Sequence, residues 1–499
     1  MNKDLKKLNK KLELIRLYEH AIGIMSFDFE TSVPKVAMEE EGNTMSFFSN
    51  QSFKIENSKA FKELVINLYQ ELNELDYLDQ ILVKNLYEDY LKTKNITPKM
   101  ELEMSKIYNL AYIDWLNAKE KKDYKLFIPS FKKIIEISKK QIELRDPAIK
   151  LPNLYDNYLN DCEKGLLQKD LDVFFNELKE GLIDLINKIK NSKKQIRSDF
   201  LNRNVPIYKQ EIFSKYLLNL NGFDFNRGML STTEHPFTTS IAIDDARVTT
   251  HYHEDMVLSN IYSIIHEGGH AIFMQNEPKE DHKHFINDHI TNGMHESVSR
   301  FFENVIGRSK AYVHLIYPKF IETFNEFKDV TERELYEAIN IVTPSLIRTE
   351  ADEVTYGLHI VIRYEMEKKL ASGELKVEDA SKEWNRLYKE YLGLDVSNDS
   401  EGILQDVHWT GGFGYFPSYA IGNAYNAMYL KEFKKVHNFD ELIEKGDFKT
   451  INEWLKENVF KEANHLEPKE WIKKITNKSL TAKDFIEYLN EKYKDIYDL

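Results

Sequence analysis

The chain has 499 residues, 30% of them charged and 42% hydrophobic, with a net charge of −14 that argues against a nucleic-acid partner. Its 19 glycines and 12 prolines are about half the usual shares of ~7% and ~5%, too few for the tight turns of a large β-sandwich or barrel. One cysteine, Cys162, excludes an intrachain disulfide or a Cys-based metal site and suits a reducing, cytoplasmic setting, and no run reaches the ~20 apolar residues of a membrane span.

Taken in chain order, the first half is helix after helix. Leu5, Leu8, Leu12 and Ile15 form one apolar stripe on a segment otherwise covered by Lys and Glu. Similar stripes predict helices across 61–92, 99–118, 130–144 and 169–194. The β-branched runs 238–243 and 247–252, joined through Asp244 and Asp245, predict a short hairpin or two strand pieces. A helix from about Met256 to Met274 follows. The stretch 402–422 holds five glycines and reads as irregular. A last helix covers 481–497, with Thr481 as N-cap and Asp484 three residues on. The expected fold is all-α dominated, with a small antiparallel β element beside a deep cleft. It is one unit with an N-terminal helical subdomain (about 1–210), a catalytic core (about 211–430) and C-terminal helices (about 431–499).

Ten of the fifteen histidines fall between His235 and His314, and inside that window stands His266-Glu267-Gly268-Gly269-His270. Residues i and i+4 share a helix face, so two imidazoles can reach one ion, with Glu267 beside them as a base for water. Two mid-helix glycines each cost about 1 kcal/mol against Ala, which makes sense where something must approach the backbone closely. A two-histidine site needs a third protein ligand, and Glu296, 26 positions after His270 on a second amphipathic helix, supplies it. Glu303, two turns further on the same face, competes. Glu296 is preferred because His295 and Ser297 beside it can bond the ligand shell. His-Glu-x-x-His followed by Glu on the next helix is the gluzincin pattern, which suits Zn2+.

Further blocks occur in order: His235-Pro-Phe237, Asp245-Ala-Arg247-Val-Thr249, His295-Glu-Ser297, Ile347-Arg348-Thr-Glu-Ala351-Asp352 and Gly402-Ile-Leu-Gln405-Asp406-Val-His408-Trp409. With HEGGH, the chain resembles the thermostable, or Taq-type, metallocarboxypeptidases. The stretch Asp28 to Pro34 is similar to that family's Trp-Asp-x-x-Thr-x-x-Pro segment, with Phe27 in place of Trp. Val298 departs from the Gln or Gly that commonly follows His-Glu-Ser. The resemblance implies a homodimer and weaker similarity along nearly the whole chain.

The expected activity is release of C-terminal amino acids from peptides with a free C-terminus, with broad specificity. One Zn2+ per subunit sits on His266, His270 and Glu296; Co2+ or another divalent ion is left open. Glu267 takes the proton of the attacking water. His408 with Tyr415 or Tyr419 donates to the oxyanion, an arrangement that resembles the donors of related gluzincin peptidases. Arg348 is first choice for the substrate carboxylate, because a guanidinium fork matches two oxygens. Arg247 is second, with an ion pair to Asp245 as the alternative role, and His235 is placed at the substrate end of the cleft. Arg300 is read as structural; Asp352 and Asp406 are read as carboxylates that orient the histidines. The rivals are a helical oligopeptidase cutting internal bonds and a non-catalytic metal-containing binding protein.

Overall fold

The structure, a computed structural model, describes residues 2–287 and 289–499. The Leu5–Ile15 stripe is buried along one face of α1 (Lys3–Thr31), whose first amides are capped by the Asn2 side chain. Next come α2 (Met38–Glu56), α3 (Lys59–Gln70) and α4 (Tyr77–Thr93). The pattern read as one stretch across 61–92 is thus two helices, broken at 71–76. Leu8, Leu68 and Val83 belong to a small core made by these first helices, and Ile286, from a loop far along the chain, is buried in it.

A larger core takes residues from Ala111 to Tyr497. Its early helices are α5 (Pro98–Glu120), α6 (Ile128–Leu144), α7 (Leu154–Cys162), α8 (Gln168–Asn191) and α9 (Ile207–Asn221). The strands β1 (Gly228–Thr232), β2 (Thr238–Ala242) and β3 (Asp245–Thr250) form a mixed sheet in the order β1-β3-β2. The expected antiparallel hairpin is β2–β3, with a register shift between Ser240 and Ala242. β1 pairs parallel to β3 and was not foreseen. Its Met-Leu-Ser-Thr run is short, and its strand character comes from the central strand it pairs with.

The sheet leads into α10 (Val257–Asn276). The short α11 (Lys279–Lys283) and a loop connect it to α12 (Asn292–Arg300), which runs on as a π-helical turn over Phe301–Ile306. The HEGGH glycines do what their position demands. A Cβ on Gly269 would stand 2.9 Å from the Ser299 Cα, and one on Gly268 would stand 2.8 Å from Leu218. Close approach of α12 to α10 therefore depends on Gly269.

Beyond lie α13 (Lys310–Thr323), α14 (Glu332–Ala338), α15 (Tyr356–Ser372), α16 (Ala380–Leu392) and α17 (Pro417–Val436). The irregular stretch ends at Phe416, so Gly422 lies inside α17, where a Cβ would meet the Glu296 Cγ at 3.2 Å. The chain closes with α18 (Phe439–Glu444), α19 (Phe448–Leu455), α20 (Pro468–Thr476) and α21 (Lys483–Tyr497). Thr481 is not the N-cap expected of it. Its hydroxyl donates to Glu177 of α8 at 3.0 Å, the Asp484 carboxylate pairs with Lys431 and Lys478, and the last helix starts two residues later. The Thr481 hydroxyl oxygen still accepts from the Lys483 amide at 3.2 Å, so it serves the start of the helix from one position earlier than an N-cap. Asp484 is taken by its lysine partners.

Candidate active site

On α10, His266 and His270 stand one turn apart and face Glu296 of α12. Their Nε2 atoms lie 3.7 and 3.5 Å from the Glu296 Oε2. Ligands at 2.0–2.2 Å in a tetrahedron stand about 3.4 Å from one another, so these three donors fit a single divalent ion. They form a His/His/Glu group with all donor atoms within 4.8 Å of one another. The local charge fits a cation too. Burial pushes Glu296 up, but His266 and Arg300 hold it well below the usual carboxylate range. Against the opposite effect of burial, Glu296 and Glu303 raise His266 to about 9.

Behind each histidine sits a partner that settles its orientation. Nδ1 of His266 donates to the Glu303 Oε2 at 2.9 Å, leaving Nε2 free. Nδ1 of His270 lies 3.3 Å from Nε2 of His295. Arg300 donates to Glu296 Oε1 at 2.8 Å and to Glu303 at 3.2 Å, and its guanidinium lies over the Tyr356 ring. Arg300 thus holds two carboxylates of α12 and its continuation side by side. Glu303, the rival third ligand, is the carboxylate that orients His266. The π-turn carries it there.

Two assignments change. The expected histidine-orienting carboxylates do other work. Asp352 accepts from the backbone and hydroxyl of Thr355 and from the Thr343 amide. Asp406 is buried between Arg348 and Arg363. Both sit too deep in their own hydrogen-bond sets to serve a ligand histidine. Ser297, expected to bond the ligand shell, donates to the Met294 carbonyl, whereas Ser299 reaches Glu296 Oε2 at 3.1 Å. The i+3 position returns to the carboxylate's face and the i+1 position does not.

Glu267 is nearly buried in the cleft wall and accepts from the hydroxyl of Thr238 on β2 at 2.7 Å. Nothing in the sequence marks Thr238 beyond its place after His235-Pro-Phe237. The cleft has a volume of about 1010 Å³, and its walls include Phe237, Thr238, Glu267, Arg348, Tyr415 and Tyr419. Arg348 donates through Nε to Asp406 at 3.0 Å, and its guanidinium lies over the Tyr419 ring. Tyr415 is the more exposed of the two tyrosines. Burial first, then Tyr415 and Tyr356, push the Tyr419 phenol up, so it stays a donor at neutral pH.

His408 is set behind the tyrosines and is not part of the cleft wall. Its Nε2 lies 3.3 Å from the Tyr419 hydroxyl. Burial lowers it to about 4, so it is neutral, and its link to the cleft is this contact with Tyr419. Arg247 and His235 are likewise not brought to the cleft wall. Arg247 makes a bidentate pair with Asp245 and lies over the ring of Phe27, which itself packs edge-on against Phe237. Phe27 thus ties α1 to the sheet. His235 is exposed just before Pro236.

A helical fold with one deep cleft, an HExxH helix and a glutamate on the next helix defines a metallopeptidase of the gluzincin kind. The chain matches the family described as Carboxypeptidase Taq (M32) metallopeptidase over residues 7–493. Carboxypeptidase 1 of Bacillus subtilis is 38% identical over 489 residues, 97% of each chain. Thermostable carboxypeptidase 1 of Pyrococcus furiosus is 33% identical over 505 residues, 99% of each. The solved M32 carboxypeptidase of Deinococcus radiodurans R1 matches with a TM-score of 0.95 at 28% identity, covering 100% of both chains. The chain belongs to the Taq-type (M32) metallocarboxypeptidase family and is a peptide-bond hydrolase that requires a divalent metal.

Proposed function

We propose that this protein is a zinc carboxypeptidase of broad specificity, in which His266, His270 and Glu296 hold the ion and Glu267 is the base. The observation that carries the reading is the grouping of three donors within 4.8 Å, with both histidines 3.5–3.7 Å from the Glu296 oxygen and Glu267 and Arg348 lining the same cleft. When bound there, the ion polarises the scissile carbonyl and brings water's pKa toward ~7.

The protein's own groups do the rest. Glu267, held by Thr238, takes the proton of the attacking water and hands it to the leaving amine. Tyr419, oriented by His408, donates to the oxyanion, with Tyr415 as the adjacent donor. Arg348 takes the terminal carboxylate; Asp406 holds its Nε and the Tyr356 hydroxyl accepts from its Nη1 at 3.3 Å, which aims the guanidinium and leaves Nη2 for substrate. β2 is an edge strand whose first residue lines the cleft, which supports main-chain pairing with an extended peptide and little regard for side-chain identity.

The same reading has the whole chain act as one peptidase unit, divided as the sequence suggests. An exposed apolar stripe on α5, made by Leu102, Leu110, Ile113 and Leu116, supports a homodimer. Among the described residues no helix is long and apolar enough to cross a membrane, and the lone cysteine supports a cytoplasmic setting.

Mass spectrometry of a mixed peptide set tests the function. Ladders shortening from free C-termini, abolished by chelator and strongly reduced by C-terminal amidation, are expected. Cleavage of amidated peptides at internal bonds would instead identify an endopeptidase.

A further inference from the structure

The carboxylate of Glu163 is fully buried at the C-terminal end of α7 and takes no part in the chemistry above. Its Oε1 accepts from the Gly293 amide at 2.5 Å and its Oε2 from the Thr291 hydroxyl at 2.8 Å. Both donors belong to the start of α12. Thr291 occupies the N-cap position yet does not cap its own helix with its side chain. A carboxylate from another helix satisfies a free first-turn amide instead, where the helix dipole also favours negative charge. The hydroxyl of Ser418, buried and without a hydrogen-bond partner of good geometry, lies beside the same carboxylate, one residue before Tyr419. A Cβ on Gly293 would stand 2.9 Å from the Glu163 Oε1, so only glycine lets the two elements come this close.

We propose that Glu163 is a positioning residue for the metal centre: it fixes the start of α12 and thereby sets where the Glu296 carboxylate stands relative to His266 and His270. The inference rests on Glu296 being a metal ligand. Glu296 comes three residues after Gly293, so a tilt of the first turn is carried directly to it. Metal sites tolerate only about 0.2 Å of error in ligand distance.

The clamp is also sensitive to charge. Burial raises Glu163 to about 7, while Ser418, Thr291 and Gly293 work to keep it ionised. Tyr425 and Cys162 are the titratable groups beside it, and burial lifts both far above neutrality, so neither changes charge where Glu163 does. A carboxylate accepts stronger hydrogen bonds than a neutral acid. The clamp is therefore tight above neutral pH and slack below it.

The test is Zn2+ affinity, measured on the full-length apoprotein by competition with a chromogenic chelator at pH 6 and pH 8. Wild type is compared with Glu163→Gln, Gly293→Ala and Glu296→Gln. Glu163→Gln mimics the protonated acid and should weaken binding about 10–100-fold at pH 8, the range for partners behind a ligand. The wild-type-to-variant ratio should shrink toward unity at pH 6, where the native carboxylate is itself largely protonated. Protonation of the ligands cancels in that ratio. Gly293→Ala crowds the carboxylate without changing charge and should weaken binding at both pH values. Wild-type affinity of Glu163→Gln at pH 8, or a ratio that does not change between the two pH values, overturns the positioning role even if the variant melts earlier. Wild-type affinity of Glu296→Gln would mean that the ligand assignment has failed, and the proposal with it.

Discussion

Oε2 of Glu303 stands 2.9 Å from Nδ1 of His266, and the same carboxylate is gripped by Arg300, which also holds Glu296. One guanidinium therefore spans a proposed metal ligand, Glu296, and the carboxylate that orients a second, His266. Glu303 is kept at about 2, burial notwithstanding, by Arg300 and His266. Replacing Glu303 with Gln should weaken metal binding about 10–100-fold while leaving the fold intact. Chelator competition alongside circular dichroism measures this. An unchanged affinity would show that the His266 contact is packing alone.

Glu267→Gln should keep the metal and lose hydrolysis, by about 10²–10⁴-fold if its role is proton transfer. Thr238 refines that test. Thr238→Val removes the hydroxyl that holds the base at 2.7 Å and should lower kcat by about tenfold with little effect on KM, the size expected of one hydrogen bond to a charged group. Thr238→Ser should restore most of the loss. A loss in the Ser variant with wild-type kcat in the Val variant would point to the methyl group, not the hydroxyl.

Arg348→Ala should lower kcat/KM for peptides with a free C-terminus by roughly 10–100-fold, from the ~1.5–3 kcal/mol of a charge-assisted hydrogen bond. Lys in its place should recover only part, since it offers a point charge in place of a fork. The residual activity on amidated peptides should not change. If free and amidated substrates suffer alike, Arg348 matters only through its pair with Asp406.

A second buried carboxylate gives a pH prediction away from the metal. Burial raises Glu367 to about 8 from the 4.5 of an ordinary glutamate, although the Tyr155 hydroxyl and the Gly414 amide both donate to it. Between these values the native state binds a proton that the unfolded chain has released, so the contribution of this group to stability is lost as pH rises. Glu367→Gln removes that dependence. Its melting temperature relative to wild type should climb from pH 5 to pH 8, by an amount worth up to about 2–4 kcal/mol. Differential scanning calorimetry of the two proteins at four pH values reads this directly, and a flat difference would refute it.

The metal centre was legible in the sequence because helical periodicity puts His266 and His270 on one face and the need for a third ligand leads to the next helix. The glycines of HEGGH were legible because a mid-helix glycine demands a close neighbour, and Leu218 stands against Gly268 and Ser299 against Gly269. What stayed hidden depends on distance in sequence. Thr238 is 29 residues from the Glu267 carboxylate it donates to, and Glu163 is 130 from the amide it caps. No period joins such pairs. Arg247 makes the ion pair with Asp245 that was its alternative role, and His235 is exposed just before Pro236, because a suitable side chain in a motif says nothing about which way its strand or loop faces. Asp406 was read as an acceptor for a histidine; it lies instead between two arginines whose proximity only folding creates.

Ile286 is buried in the small N-terminal core, with Phe285 packed beside it, although both come from far along the chain. Hydrogen exchange should register that arrangement as two levels of protection: amides of α3 and α4 open at a lower free energy than those of α10 and α12. Where α1 crosses the sheet, His20 lies 3.1 Å from the Ile241 carbonyl and Phe27 packs on Phe237. Loosening of the N-terminal helices is thus felt first along β2, the strand that leads into the cleft, and a peptide lying on that edge would slow their exchange without touching them.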